Sequence, residues 1–405
     1  MYLMKLIKPV CCFAALLLFS SSTLYAAGPQ GGPSFESYEW TEIRPTQFFN
    51  PLHWEPRAGL QAVELHNKLF VIAGRSPKNT DIPRDSLIHG DVWVSHDLGV
   101  NWEEMLEDAE AAGLWRNRAY FEAVTQGNHM YILGGQNFVT EPAPPFFCDA
   151  WPPELGPCPE FITVSDFFND VWRSTDGVNW QEMTSEAPWE ARAGLSAASF
   201  KGHLWVMAGS QNDDASIGGL DRKFFNDVWY SKDGSQWHAA TKDAPWEARA
   251  GGVVLVKGGW LYMLGGEKGF TDPVDYFNDV WRTKNGKHWE LVTDNAGWSP
   301  RPGHKCAVLA NYFVCMGGFG IPFNPMDIWV SKNGANWRQV SDSPWDAESP
   351  DDIRYDFDML TVKGGMGGLK PSIFTFGGDR ETFILPPEVN FFRVENDVWR
   401  YGPME

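Results

Sequence analysis

The chain has 405 residues, and its 52 acidic and 33 basic side chains give a formal net charge of −19 at pH 7. This balance argues against nucleic-acid binding, because no stretch of the sequence forms a basic stripe. The length alone would allow two or three ordinary domains, but an internal repeat runs through the sequence and argues for one repeat domain.

The N-terminus has the pattern of a secretory signal peptide. A short basic start, residues 1–8, is followed by an apolar stretch over residues 10–19 and then by small residues, which is the order typical of a cleaved export signal. The apolar stretch is too short to span a membrane as a helix. We therefore expect a signal peptide over residues 1–26, a mature domain over residues 27–405, no integral membrane segment, and a secreted or periplasmic location.

Tryptophan recurs in a pattern that divides the chain into six units. Five times, two tryptophans follow each other at a spacing of about eight residues, and a further tryptophan opens every unit. The opening residues are Trp54, Trp115, Trp189, Trp246, Trp298 and Trp345. Each unit contains four short runs of strand-forming residues, separated by turn signals such as Asp176-Gly177. Six such units predict an all-β, six-bladed β-propeller with four-stranded blades.

The last unit lacks its final tryptophan. After Trp399 the chain reaches Glu405 without a second tryptophan, whereas Trp40 stands near the N-terminus without a partner. An N-terminal strand over about residues 37–43 that completes the last blade would account for both. Such a strand would close the ring and remove the open sheet edge that otherwise invites aggregation.

Glycine pairs end the second predicted strand of four units, at Gly134-Gly135, Gly265-Gly266, Gly317-Gly318 and Gly377-Gly378. Together with the aromatic residue and the later tryptophan of each unit, these pairs resemble the kelch-repeat family, which includes secreted bacterial proteins and the central domain of galactose oxidase. The first and third units depart from the pattern with Ala73 and Ala208. The resemblance covers almost the whole mature chain and implies a six-bladed propeller, but kelch propellers include enzymes, peptide-docking modules and scaffolds.

Four cysteines remain once the signal peptide is removed. Cys148 and Cys158 bracket a proline-rich loop, where a disulfide would limit the conformational freedom of the chain. Cys306 and Cys315 face each other across a predicted hairpin, and the sequence leaves open whether they are bonded or remain a buried thiol pair. An even number of cysteines in an exported protein favours disulfides.

The loops between the second and third strands of the units are long, and they fall on one face of the predicted propeller, which we call the long-loop face. Long loops on a rigid scaffold are where binding usually occurs. We expect the ligand to bind on this face, and to be an acidic glycan, an acidic peptide or a protein partner. We also expect the protein to be a monomer. Trp151, in the longest loop, is a candidate for contact with the ligand. No histidine spacing typical of zinc is present, and we expect no metal or cofactor.

A repeated arginine stands just ahead of the first strand in five units. These residues are Arg57, Arg118, Arg192, Arg249 and Arg301. In one interpretation, each guanidinium stacks on its tryptophan or bonds the carbonyl groups of a neighbouring blade. In the other, the arginines form a ring at the channel mouth and bind carboxylates in a bidentate manner, as the resemblance to kelch domains that dock acidic peptides implies. The two interpretations are compatible.

Departures from the repeat suggest an alternative function. The alignment of the sixth unit puts Tyr355 where the repeated arginine is expected, although Arg354, one step off this register, could still serve. The candidate catalytic residues are His304, Tyr120, Tyr355, Asp356 and Asp358. With nearby arginines they could perform acid–base chemistry on a sugar acid, as a polysaccharide lyase or a sugar-acid epimerase would. Alternatively, these side chains seal the channel and bridge the blades.

Overall fold

The computed structural model of the chain describes residues 34–78, 82, 85–151, 153, 156–212, 222–269, 275–319, 325–345, 354–365, 368–380 and 393–404. The predicted signal peptide lies outside the described residues. Regular structure in the described part is almost entirely β, apart from a 3-10 turn at Phe35–Ser37 and a short helix, α1, at Pro145–Ala150. None of the described helices is long and apolar enough to cross a membrane.

The strands form six antiparallel blades that follow one another along the chain. Strand β1 (Tyr38–Arg44) comes first. Blade 1 contains β2 (Gln61–Leu65), β3 (Lys68–Pro77), β4 (Ser86–Ser95) and β5 (Glu103–Leu106). Blade 2 contains β6 (Glu122–Gln126) and β7 (His129–Leu133), then a separate hairpin of β8 (Gln136–Pro142) and β9 (Phe161–Phe167), then β10 (Val171–Ser174) and β11 (Trp180–Thr184).

The next four blades repeat this plan. Blade 3 contains β12 (Ser196–Phe200) and β13 (His203–Met207), the short pair β14 (Ser210–Gln211) and β15 (Lys223–Phe224), then β16 (Val228–Ser231) and β17 (Trp237–Thr241). Blade 4 contains β18 (Val253–Lys257), β19 (Trp260–Lys268), β20 (Asp275–Thr283) and β21 (Trp289–Thr293). Blade 5 contains β22 (Lys305–Leu309), β23 (Tyr312–Met316), β24 (Asp327–Ser331) and β25 (Trp337–Asp342). Blade 6 contains β26 (Asp358–Val362), β27 (Ser372–Asp379) and β28 (Val394–Pro403).

The first strand of every blade lines the centre of the ring. These strands are β2, β6, β12, β18, β22 and β26, and each contacts the first strands of both neighbouring blades. Within a blade the strands are antiparallel and run in order from the centre outward. The turns from first to second and from third to fourth strand therefore lie on one face. The loops from second to third strand and the links between blades lie on the other, which is the long-loop face.

The ring closes through β1, as the unpartnered Trp40 and Trp399 predict. β1 pairs antiparallel with β28, the third strand of blade 6, and this register puts Glu42 opposite Trp399. The ring centroids of Trp40 and Trp345 lie 6.1 Å apart, so that Trp40 supplies the second tryptophan that the last unit lacks. The prediction of a six-bladed propeller closed by an N-terminal strand is confirmed.

The repeated tryptophans pack against each other within a unit and against the neighbouring blade. The opening tryptophan of a unit meets the second tryptophan of the pair edge-to-face, with ring centroids 5.7 Å apart for Trp115 and Trp180, and 5.8 Å apart for Trp246 and Trp289. Trp115 also belongs to one apolar cluster with Phe70 of the preceding blade. Because large aromatic side chains bury the most apolar surface per residue, these positions contribute strongly to stability.

Both cysteine pairs form disulfides. The bond between Cys148 and Cys158 joins α1 to the loop that precedes β9, with Cα atoms 5.4 Å apart. The bond between Cys306 and Cys315 links directly opposite residues of β22 and β23. The expectation of disulfides is confirmed, and the question left open for the second pair is resolved in favour of the bonded form.

Candidate functional site

The repeated arginine forms a bidentate ion pair with an aspartate of its own blade. The terminal nitrogens of Arg57 donate to the two carboxylate oxygens of Asp91 at 2.5 and 2.8 Å, and its other donors reach the carbonyl groups of Glu55 and Ala73. Asp91 also accepts a hydrogen bond from the Trp93 indole. The six pairs are Arg57–Asp91, Arg118–Asp170, Arg192–Asp227, Arg249–Asp279, Arg301–Asp327 and Arg354–Asp397. We call each pair an arginine clamp.

The arginine clamps are buried, with exposed fractions of the six arginines between 0 and 6%. Burial alone would raise the pKa of Asp91, but the Arg57 guanidinium and the Trp93 indole outweigh it, and the pKa is lowered. Each clamp ties the segment ahead of the first strand to the third strand. This geometry favours the structural interpretation, and direct contact of the five predicted arginines with a ligand stays a prediction.

Blade 6 differs by one residue from the register expected from the sequence. Arg354, and not Tyr355, occupies the arginine position, because its guanidinium pairs with Asp397 at 2.9 Å. The first strand begins at Asp358, one residue earlier than the alignment predicts. Tyr355 takes the next position, where its backbone bridges to Asp379.

A ring of six residues in the left-handed backbone conformation encircles the channel, and we call it the throat. It consists of Gly59, Tyr120, Gly194, Gly251, Gly303 and Asp356, with φ between 50° and 64°. Backbone amides donate around the ring, from Tyr120 to the Gly59 carbonyl and from Gly194 to the Tyr120 carbonyl. Glycine adopts this conformation without steric cost, whereas tyrosine and aspartate lose on the order of 1–2 kcal/mol. The surrounding structure holds these two residues in place, which makes their side chains candidates for a specific role.

The side chain of Tyr120 belongs to a network that joins blades 1, 2 and 6. Nε of Arg75 donates to the phenol oxygen at 2.7 Å, and Nη2 of Arg75 pairs with Asp379 at 2.7 Å. Burial raises the pKa of Tyr120; Arg75 opposes this effect, and Asp356 and Asp379 add to it. Tyr120 is therefore a neutral phenol at physiological pH and is not poised as a base.

His304 takes no part in this network. Its imidazole is 2% exposed, packs with its centroid 5.0 Å from that of Trp298, and donates from Nδ1 to the Arg301 carbonyl at 3.2 Å. Burial lowers the pKa of His304 to about 3, so the ring is neutral. Within the described residues, His304 makes no hydrogen bond or ring contact with Tyr120. His304 and Tyr120 both line the central cavity, but they share no direct bond and neither is poised as a base, so the enzymatic alternative is not favoured.

Buried neutral histidines make the stability of the fold sensitive to acid. His53, His89 and His304 each have a pKa lowered to about 3, chiefly by burial, whereas an unfolded chain titrates near 6.5. As the pH falls from about 6.5 to about 3, the unfolded state binds more protons than the folded state. The free energy of unfolding should therefore drop, on the order of 4 kcal/mol per histidine at the lower end.

We expect the urea midpoint to fall steeply between pH 6 and pH 4, and the variant His89→Gln to show a shallower fall. His96 is the matched control, because its side chain is 54% exposed and His96→Gln should leave the fall unchanged. If the stability of His89→Gln and of the wild-type protein fell in parallel, the buried imidazole of His89 would not be the source of the acid sensitivity.

Below the throat, the first strands enclose a cavity of about 620 Å³. Its lining includes Glu122, Lys305 and Asp358, which stand at the first positions of three different strands. Of these three, Asp358 is among the candidates predicted from the sequence, and the predicted residues Tyr120, His304 and Asp356 line the same cavity. A charged residue at the start of an otherwise apolar innermost strand is the signal that identifies Glu122 and Lys305.

The exposed aromatic side chains lie on the long-loop face. All three exposed phenylalanines of the described chain are there: Phe49 in the link from β1 to blade 1, Phe146 in α1, and Phe161 at the start of β9, with exposed fractions of 75, 51 and 39%. Trp151 is half-buried, with its ring centroid 5.4 Å from that of Phe147. The predicted residue Trp151 therefore belongs to the same insertion as two of the exposed phenylalanines.

Comparisons with known proteins support the architecture and nothing finer. No family model matches the chain, and no curated protein matches it in sequence. Among solved structures, the chain is similar to one described as "Structure of YjhT", with a TM-score of 0.57 and 14% sequence identity, over 86% of this chain and 95% of that one. An identity this low shows the fold alone, and no ligand or activity carries over from it.

Proposed function

We propose that this protein is an exported, kelch-type binding module and that a partner protein binds to its long-loop face. The signal peptide over residues 1–26 and the single domain over residues 27–405 belong to the same proposal. The observation that carries it is the placement of the exposed phenylalanines Phe49, Phe146 and Phe161 on that face. Exposed apolar side chains on one face favour an interaction site there, and aromatic residues are enriched at protein interfaces.

The insertion of blade 2 presents two of these phenylalanines on a rigid support. β8 and β9 pair along their whole length, and the disulfide between Cys148 and Cys158 fixes the helix that carries Phe146. β8 also contacts β4 of blade 1, which carries the exposed Leu87. A preorganised apolar surface loses little conformational entropy on binding, and this strengthens the affinity.

The link between β1 and blade 1 adds a second apolar element. Phe49 and Leu52 are 75 and 72% exposed, yet the backbone of the link is fixed. The side chain of Asn396 accepts a hydrogen bond from the Gln47 amide and donates to the carbonyl groups of Gln47 and Trp54. The anchored backbone therefore positions two exposed apolar side chains on this face, as expected of an interface.

The charges favour a basic partner over the acidic ligand expected from the sequence. In the arginine clamps, aspartates already pair with the repeated guanidinium groups. A carboxylate ligand would therefore have to displace a buried ion pair to bind there. The formal net charge of −19 accelerates the approach of a positively charged partner and slows that of an acidic one. We therefore infer a partner protein with an apolar contact surface and basic surroundings.

Two double variants on opposite faces test this proposal. Phe146→Ser with Phe161→Ser removes aromatic side chains from the long-loop face, and Val100→Ser with Val178→Ser removes exposed valines from turns on the other face. We expect immobilised wild-type protein and the valine variant to retain the same protein from the exported fraction of the source cells. The phenylalanine variant should retain it at least about tenfold more weakly, because aromatic hot spots dominate interfaces, with an unchanged melting temperature.

Equal retention by the two variants would contradict the proposal. A glycan array probed with the same three proteins distinguishes a protein ligand from a carbohydrate. If the wild-type protein bound a glycan and the phenylalanine variant did not, the ligand of this face would be a carbohydrate and not a protein. Retention that weakens as salt is added would agree with a basic partner.

A further inference from the structure

The first residues of the innermost strands form a polar layer in the channel below the throat. The layer consists of Gln61, Glu122, Ser196, Val253, Lys305 and Asp358. Its side chains bond to the neighbouring blades, since Gln61 accepts from the Ala123 amide at 3.0 Å and Asp358 accepts from the Ala62 amide at 2.6 Å. The layer is therefore a built part of the ring, with fixed side-chain positions.

Three charged groups of the layer border the central cavity of about 620 Å³. Lys305 and Asp358 form an ion pair at 3.4 Å. Glu122, in contrast, has no cationic partner within 4.0 Å among the described residues. It stands on blade 2, which faces blade 5 and Lys305 across the ring. The carboxyl group of Glu122 is thus the acidic member of the layer that forms no ion pair with a described residue, although Lys305 acts on it from a greater distance.

The environment of Glu122 keeps its carboxyl group protonated at neutral pH. Burial raises its pKa to about 8; Lys305 opposes this shift, Asp358 adds to it, and a hydrogen bond from the Ala197 amide opposes it. Glu122 is half-buried, and a desolvated carboxyl group of this kind ionises when a cation approaches it, because the attraction offsets the desolvation of the charged form.

The charges around the cavity favour a cation. The charged lining residues are Glu64, Glu122, Asp356 and Asp358 against Lys305 and Lys363. Even with the Glu122 carboxyl group protonated, three acidic side chains face two amines, so the cavity attracts positive charge and repels negative charge. The lining also includes the apolar Val63 and Val254, which suit the carbon skeleton of an organic ligand.

We propose that the central channel binds a small organic ammonium ion, with the ammonium group held between Glu122 and the Lys305–Asp358 ion pair. Ionised Glu122 supplies the counter-charge, and the proton that it loses passes to the solvent. The site lies in the channel and not on the long-loop face, so it holds or fails independently of the proposed partner protein.

Butylamine, butanol and butyrate each have a four-carbon chain and differ in charge. Isothermal titration calorimetry with each of them therefore measures how strongly the channel prefers a cation to a neutral molecule or an anion. We expect butylamine to bind at least about tenfold more tightly than the other two. Its affinity should rise about 50-fold from pH 6 to pH 8, with about one proton released per molecule bound at pH 6 and about half a proton at pH 8, because Glu122 must ionise first.

Glu122→Gln removes the charge and keeps an acceptor for the Ala197 amide. Gln61 makes the equivalent bond in blade 1, so the fold accepts glutamine at this strand position. We expect butylamine to bind this variant at least about tenfold more weakly and without the rise from pH 6 to pH 8. Glu64→Gln is the matched control, because it removes a different carboxylate from the same cavity and should keep the pH dependence.

Three results would overturn the proposal: no preference of the wild-type protein for butylamine, tighter binding of butyrate, or an unchanged pH dependence in Glu122→Gln. The thermal unfolding of both variants should match that of the wild-type protein, which separates loss of the site from loss of the fold.

Discussion

Deletion of residues 35–43 should destabilise the entire ring, by more than about 5 kcal/mol. The segment contains Phe35, which is 1% exposed, and Trp40, which packs against Trp345 and Tyr401 with ring centroids 6.1 and 5.0 Å away. Its removal uncovers these aromatic groups and leaves the backbone edge of β28 without a partner. A propeller with an incomplete blade has an open sheet edge, so the deletion should also promote aggregation.

Urea unfolding followed by tryptophan fluorescence measures the effect of this deletion. The control deletion replaces residues 143–159 by an Asn-Gly turn, which keeps the hairpin of β8 and β9 and contains no strand of the six blades. We expect the control to change the free energy of unfolding by less than about 1 kcal/mol and to weaken partner binding instead. If the deletion of residues 35–43 left unfolding unchanged, closure through β1 would be refuted.

The second large effect is expected for Arg57→Met, which breaks one arginine clamp. The side chains of Arg57 and Asp91 are 1 and 9% exposed, so the variant leaves a buried carboxylate without its counter-charge. Removal of one partner from a buried ion pair typically lowers stability by about 3–5 kcal/mol. The double variant Arg57→Met with Asp91→Leu should recover part of this loss, because no uncompensated charge remains.

Arg282→Met is the matched control for the clamp. Arg282 pairs with Glu290 at 2.9 Å, but the two side chains are 35 and 55% exposed, and such pairs contribute about 0–1 kcal/mol. Equilibrium unfolding of the three variants compares the effects directly. A stable Arg57→Met protein that had lost ligand binding would instead restore the interpretation of the repeated arginines as a binding ring.

The propeller and its closing strand could be predicted because their signals are local. Each unit repeats the tight turns, the apolar runs and the tryptophan spacing over roughly 50 residues, and a strand, a turn or an unpaired edge depends mainly on residues close together in the chain. The unpartnered Trp40 and Trp399 identified the closing strand for the same reason, since a repeat predicts what its last copy lacks.

The partners of the arginines could not be predicted in this way. Arg57 and Asp91 are 34 residues apart, whereas Arg118 and Asp170 are 52 residues apart, because loops of different length lie between them. The one-residue error in the alignment of blade 6 has a similar origin. The sequence allows two registers for its first strand, and the ion pair of Arg354 with its aspartate decides between them.

The sequence by itself determined the number of blades, the closing strand and the face that carries the long loops. Only the tertiary structure decided that the arginines are buried in clamps, that His304 and Tyr120 line one cavity without a hydrogen bond between them, and that Glu122 shares the channel with the Lys305–Asp358 pair. The physical reason is the distance along the chain over which each interaction acts. Strand pairing and turns follow from neighbouring residues, whereas burial and counter-charge depend on which blades face each other once the ring has closed.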